Sequence, residues 1–163
     1  MASHLQNLSE YEPASIPSAK GMKFGIVVAD WNREITHNLL EGAIKTLEQN
    51  GASTNDIVVH HVPGSFELPL GARMIADSVK PDAIICLGCV IQGETKHFDY
   101  ICQGVTQGIT DLNLNYKLPF IFGVLTTDSQ EQARDRSGGK HGNKGDEAAI
   151  TAIHMIELKR KLS

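Results

Sequence analysis

From Lys23 onward the chain alternates between short, nearly unbroken apolar runs and longer segments whose apolar residues recur every three or four positions. The first run is Lys23-Phe24-Gly25-Ile26-Val27-Val28-Ala29. Ile35, Leu39, Leu40, Ala43, Ile44 and Leu47 then form a stripe of helical period, which predicts a helix ending near Asn50-Gly51. A second run over 57–62 precedes a helix expected from near Ser65 to about Ser78, with Pro69 in its first turn, where a missing N–H costs little. After the break at Lys80-Pro81, Ala83-Ile84-Ile85-Cys86-Leu87 leads into Gly88, read as the start of a glycine turn. Phe98, Ile101, Cys102, Val105, Ile109 and Leu112 mark the helix beyond it. A fourth run spans 120–125. Asp128 with Glu131 predicts a capping box for a short helix to about Arg136. A glycine-rich link over 138–142 follows, and Asn143 caps a last helix through Ala149, Ala152, Ile153 and Ile156.

Continuous apolar strands alternating with amphipathic helices are the pattern of a parallel sheet covered on both faces. The expected fold class is α/β: a three-layer α/β/α sandwich with a four-stranded parallel sheet. Residues 1–21 are polar, with Pro13, Pro17 and several serines, and read as a flexible N-terminal arm ahead of a single domain over 22–163. A length of 163 residues with 41% hydrophobic content suits one domain with a sizeable core. The net charge is -4, and the one short basic run, Lys159-Arg160-Lys161, complements a helix end, so no nucleic-acid partner is expected. No stretch has transmembrane length and no apolar signal core opens the chain, which points to a soluble cytoplasmic protein without a membrane partner. Cys86 and Cys89 form a Cys-x-x-Cys, but residues three apart on a strand face opposite ways, and no second pair completes a zinc site. Both are read as buried and structural.

Open parallel sheets bind ligands beyond the carboxyl ends of their strands. The residues there are Asp30-Trp31-Asn32-Arg33, Pro63-Gly64-Ser65-Phe66-Glu67, Gln92-Gly93-Glu94-Thr95-Lys96-His97 and Thr126-Thr127-Asp128. The third group offers backbone amides at a helix N-terminus, which suit an anion. His97 falls in that helix's first turn, where the dipole favours a neutral imidazole able to take protons. An anion cradle beside a base suggests chemistry on a phosphorylated small molecule; the competing reading is a plain strand–helix connection with a surface histidine. Trp31, the single tryptophan, is either a stacking platform for a planar heterocycle or a packing wedge. Glu67 either binds hydroxyls or complements the helix dipole. Arg136 and Lys144 flank the glycine-rich link and otherwise read as solvated charge. His60 and His61 share a strand, so at least one is expected to face the core. His37, His141 and His154 receive no role. The dinucleotide, P-loop and Gly-x-Ser-x-Gly motifs are absent from the sequence.

Four segments in register resemble one family: Pro63-Gly64-Ser65-Phe66-Glu67-Leu68-Pro69, residues 88–98, Phe122-Gly123-Val124-Leu125-Thr126-Thr127, and Gly142-Asn143-Lys144-Gly145. They are similar to the 6,7-dimethyl-8-ribityllumazine synthases, over 24 to about 158. The resemblance implies a flavodoxin-like fold and condensation of 5-amino-6-(D-ribitylamino)uracil with 3,4-dihydroxy-2-butanone 4-phosphate, the penultimate step of riboflavin synthesis, without metal or organic cofactor. It implies that Trp31 stacks on the pyrimidine and that Asn32, Ser65 and Glu67, beside Phe66, hold the ribityl chain. Val90 and Ile91 would present backbone groups to the pyrimidine edge. Gly93, Glu94 and Thr95 would cradle the phosphate, and His97 would shuttle protons. Phe122, Lys144 and Arg136 would come from a neighbouring subunit of a homopentamer. Gln92 stands where the family often carries a cation, which leaves more of the phosphate attraction to Arg136. The short link over 138–142 resembles that of members that close twelve pentamers into a 60-subunit icosahedral capsid, and riboflavin synthase is a candidate partner. Two alternatives stay open: an archaeal-type riboflavin synthase, which has no phosphate substrate to match the cradle, and a non-catalytic lumazine- or flavin-binding shell protein.

Overall fold

A computed structural model describes residues 16–163. Its strands and helices are β1 (Phe24–Ala29), α1 (Arg33–Gln49), β2 (Ile57–Val62), α2 (Leu68–Val79), β3 (Ala83–Ile91), α3 (His97–Asn115), β4 (Phe120–Thr127), α4 (Gln130–Asp135), β5 (Ser137–Gly139), β6 (Gly142–Asn143) and α5 (Lys144–Leu162). The main sheet is parallel with order β2-β1-β3-β4, and β5 and β6 pair as a small antiparallel hairpin within the expected link. Alternate strand residues feed two cores. Phe24, Ile26, Val28, Ile85, Leu87 and Cys89 pack with α1 and α5. Val27, Ala29, Ile84, Cys86, Phe120 and Val124 pack with α2 and α3. This is the expected three-layer, flavodoxin-like arrangement.

Four local expectations are corrected. Gly88 is not a turn: β3 runs on to Ile91, paired with β4 as far as Ile91 opposite Thr127. A Cβ at Gly88 would lie 2.7 Å from Ser65 Oγ, so the glycine admits the Ser65 turn onto the strand. The short helix is capped not by Asp128 but by Ser129, whose side chain accepts from Gln132 N. Neither His60 nor His61 faces the core; β2 is an edge strand and both histidines are exposed. The helix expected from Ser65 begins as a separate 3-10 turn, Ser65–Glu67, before α2. Of the expected arm, residues 1–15 lie outside the described residues. Ile16 packs on the core, Ala19 is buried, and Ala19 N–H donates to Asn50 O at 2.8 Å.

Candidate active site

In the order β2-β1-β3-β4, successive crossovers diverge between β1 and β3, and ligand crevices open at such a switch point. A cleft of about 590 Å³ lies there. One wall is the β1–α1 turn, zipped to the end of β2 by Asp30 N–H to Val62 O (2.8 Å) and Trp31 N–H to Pro63 O (3.1 Å). Asn32 adopts a left-handed backbone, φ 60° and ψ 45°. That conformation costs an ordinary L-residue roughly 1–2 kcal/mol, and Asn tolerates it best after Gly. The Asn32 Nδ2 donates to Cys89 O at 3.0 Å, which pins the turn across the switch point onto β3. Trp31 is thereby left 73% exposed beside the cleft.

The 3-10 turn supplies a further part of the lining. Ser65 is buried, and its Oγ is a buried side-chain polar atom with no hydrogen-bond partner among the described residues. Phe66 is exposed, with its ring edge over Gly104 of α3, where a Cβ would come within 2.9 Å of it. The Glu67 carboxylate folds back toward Gly64. The loop 92–96 is exposed and leads directly into α3, whose first residue is His97; its backbone N–H lies 3.4 Å from Thr95 Oγ1. Val90, Ile91, Gly93, Thr95 and His97 all line the cleft, and Glu94 does not. Phe98 and Ile101, read from sequence only as a helix stripe, line it too.

The remaining expected residues stand elsewhere. Phe122, Arg136 and Lys144 line a second cleft, of about 600 Å³, along the β4 edge, and the two clefts share no lining residue. Arg136 Nη1 donates to Gln132 O at 3.0 Å, and Lys144 Nζ pairs with Glu147 Oε1 at 2.5 Å. Glu147, Thr151 and Met155 of α5 are also in this lining; as members of the helix after Asn143 they gave no sign of it in the sequence.

The cysteines of the Cys-x-x-Cys belong to opposite cores, and burial pushes each thiol up to about 12, so neither is a nucleophile at neutral pH. Neither His37 nor His61 has a role in the sequence reading above. The structure brings both beside Asp30, with one ligand-capable atom from each of the three within 4.8 Å of the others. The signal was the register: parallel pairing sets Ala29 beside Val62, so Asp30 and His61 meet at adjoining strand ends.

The family model for 6,7-dimethyl-8-ribityllumazine synthase matches residues 21–160. A protein of that name from Parabacteroides distasonis is 60% identical over 158 residues, covering 97% of this chain and 99% of the relative. One from Cytophaga hutchinsonii is 58% identical over 96% of this chain and 98% of its own length. One from Phocaeicola vulgatus is 54% identical over 99% and 96%. Matches of this identity, covering nearly the whole chain, make it a member of the 6,7-dimethyl-8-ribityllumazine synthase family.

Proposed function

We propose that this chain condenses 5-amino-6-(D-ribitylamino)uracil with 3,4-dihydroxy-2-butanone 4-phosphate to 6,7-dimethyl-8-ribityllumazine, releasing phosphate and water. The observation that carries this reading is the switch-point cleft, lined by an exposed indole and by a serine whose buried hydroxyl has no partner among the described residues, in a chain of this family. Trp31 stacks on the pyrimidine, and Val90 and Ile91 offer backbone groups to its edge. Ser65, Glu67 and the Asn32 side-chain oxygen Oδ1 hold ribityl hydroxyls beside Phe66; the Asn32 Nδ2 already donates to Cys89 O. The backbone of Gly93, Glu94 and Thr95 cradles the phosphate. The substrate amine attacks the ketone and water leaves as the imine forms; phosphate is then eliminated, and the ribityl-bearing nitrogen attacks the remaining carbonyl, closing the ring with loss of a second water. His97 carries protons between these steps. Holding both substrates together supplies at best about 7–11 kcal/mol, and one positioned base typically adds about 10²–10⁴-fold.

Phe122, Arg136 and Lys144 belong to the same site through a neighbouring subunit. Within one chain they line a different cleft from His97, so two dissimilar surfaces must meet. Such a contact is heterologous and closes into a ring or runs on as a filament. In the proposed assembly the chain forms a homopentamer, and twelve pentamers form a 60-subunit shell, working in the cytoplasm beside a riboflavin synthase that consumes the product. The test mixes purified protein with the two substrates and follows absorbance, fluorescence and phosphate. Accelerated appearance of green-fluorescent lumazine with phosphate release supports the reading. A rate equal to the protein-free control, with the protein folded and assembled, overturns it in favour of a binding protein or shell that lacks the chemistry.

A further inference from the structure

We propose that Asp30, His37 and His61 form a binding site for a first-row divalent transition metal of the zinc class. Two imidazoles and one carboxylate are a recurrent donor set for such ions, commonly with coordination positions left to water. The three residues come from three elements: the turn after β1, the second turn of α1 and the penultimate position of β2. His61 Nδ1 and Asp30 Oδ1 are 2.9 Å apart, and the His37 and His61 rings are tilted by 56° with centroids 5.8 Å apart. One donor atom per residue lies within 4.8 Å of the other two. Tetrahedral bonds of about 2.0–2.1 Å set ligand atoms about 3.4 Å apart, so side-chain rotations of an ångström or so complete the site. The backbone supports are already fixed by the Asp30–Val62 hydrogen bond and the β1–β2 ladder. Asp30 and His61 are exposed and His37 is half-buried, which leaves room for water ligands.

An ordinary surface ion pair accounts for Asp30 and His61 but not for His37. The His37 Nε2 accepts a hydrogen bond from Arg33 Nε at 3.1 Å, so that nitrogen carries the lone pair a metal needs. Arg33 is therefore a competitor for the same lone pair, and its removal favours the metal. None of the three residues lines the switch-point cleft.

Titration of the full-length protein with Co(II), followed by its visible d–d absorption and by competition with Zn(II), tests the proposal. One saturable ion per chain is expected. His37→Gln, His61→Gln and Asp30→Asn should each weaken binding at least about tenfold, as loss of one of three protein ligands requires. His60→Gln should leave it unchanged, and Arg33→Ala should tighten it. Trp31, adjoining Asp30 and alone of its kind, should dim in step with the absorption. Absence of a saturable spectrum, or binding indifferent to all three ligand variants, overturns the site. Should a ligand variant lower the melting temperature, the Arg33→Ala protein decides: weaker or unaltered binding there also overturns it.

Discussion

Ser65 carries a buried hydroxyl with no partner among the described residues, a state that costs about 1–3 kcal/mol. A ligand hydroxyl in the cleft would repay it. Ser65→Ala should therefore keep or raise the melting temperature while weakening the ribitylaminouracil by about 0.5–1.5 kcal/mol, read as a raised KM for that substrate. An unaltered KM would remove Ser65 from the ribityl site. His97 lines the same cleft, exposed at the first residue of α3. His97→Ala should lower kcat by about 10²–10⁴-fold and leave turnover measurable above the protein-free rate, because proximity remains. Complete loss with substrate binding intact would contradict that division of labour. Trp31 and His97 were legible in the sequence because strand ends announce themselves as polar breaks after apolar runs. The meeting of Asp30, His37 and His61 was not, because it depends on register between strands far apart in the chain.

At the scale of elements, the apolar runs located all four strands of the main sheet, and the helical stripes located α1, α3 and α5. One of the misreadings falls at a glycine. A glycine inside an apolar run reads as a break, since it weakens a strand interior. At Gly88 the strand continues because the Ser65 turn needs the space a side chain would occupy. Gly145 is a comparable case between helices. It lies in the first turn of α5, where a Cβ would run into the Leu39 carbonyl oxygen of α1. Asn143 locks the same crossing: its Nδ2 donates to Asn38 O at 2.8 Å and its Oδ1 accepts from Gly145 N, also at 2.8 Å. Gly145→Ala should destabilise the fold by about 1–3 kcal/mol or more, the usual range for overpacking against unyielding groups. A urea midpoint equal to that of the parent would show that α1 and α5 part without cost. Because Lys144 precedes this glycine, a displaced α5 would also shift the second cleft.

Across the whole molecule, the residues assigned to one reaction are divided between two clefts with no lining residue in common. The sequence alone conceals this, since the motifs follow one another along the chain as though they met within it; only the family resemblance anticipated a neighbour. The division can be tested by mixing. His97→Ala and Arg136→Ala chains, each impaired, are unfolded together and co-assembled. If each site draws on two chains, about a quarter of the sites in a random mixture regain both native halves, and activity exceeds that of either parent. Activity no higher than the average of the two would place the whole site within one chain. A head-to-tail arrangement also has an arithmetic of its own. A closed ring contains as many whole sites as it has members, whereas an open run of the same chains strands one unmatched half at each end. Closure thus adds a site without adding a chain, and a ring opened at one seam loses a catalytic centre though every polypeptide in it remains intact.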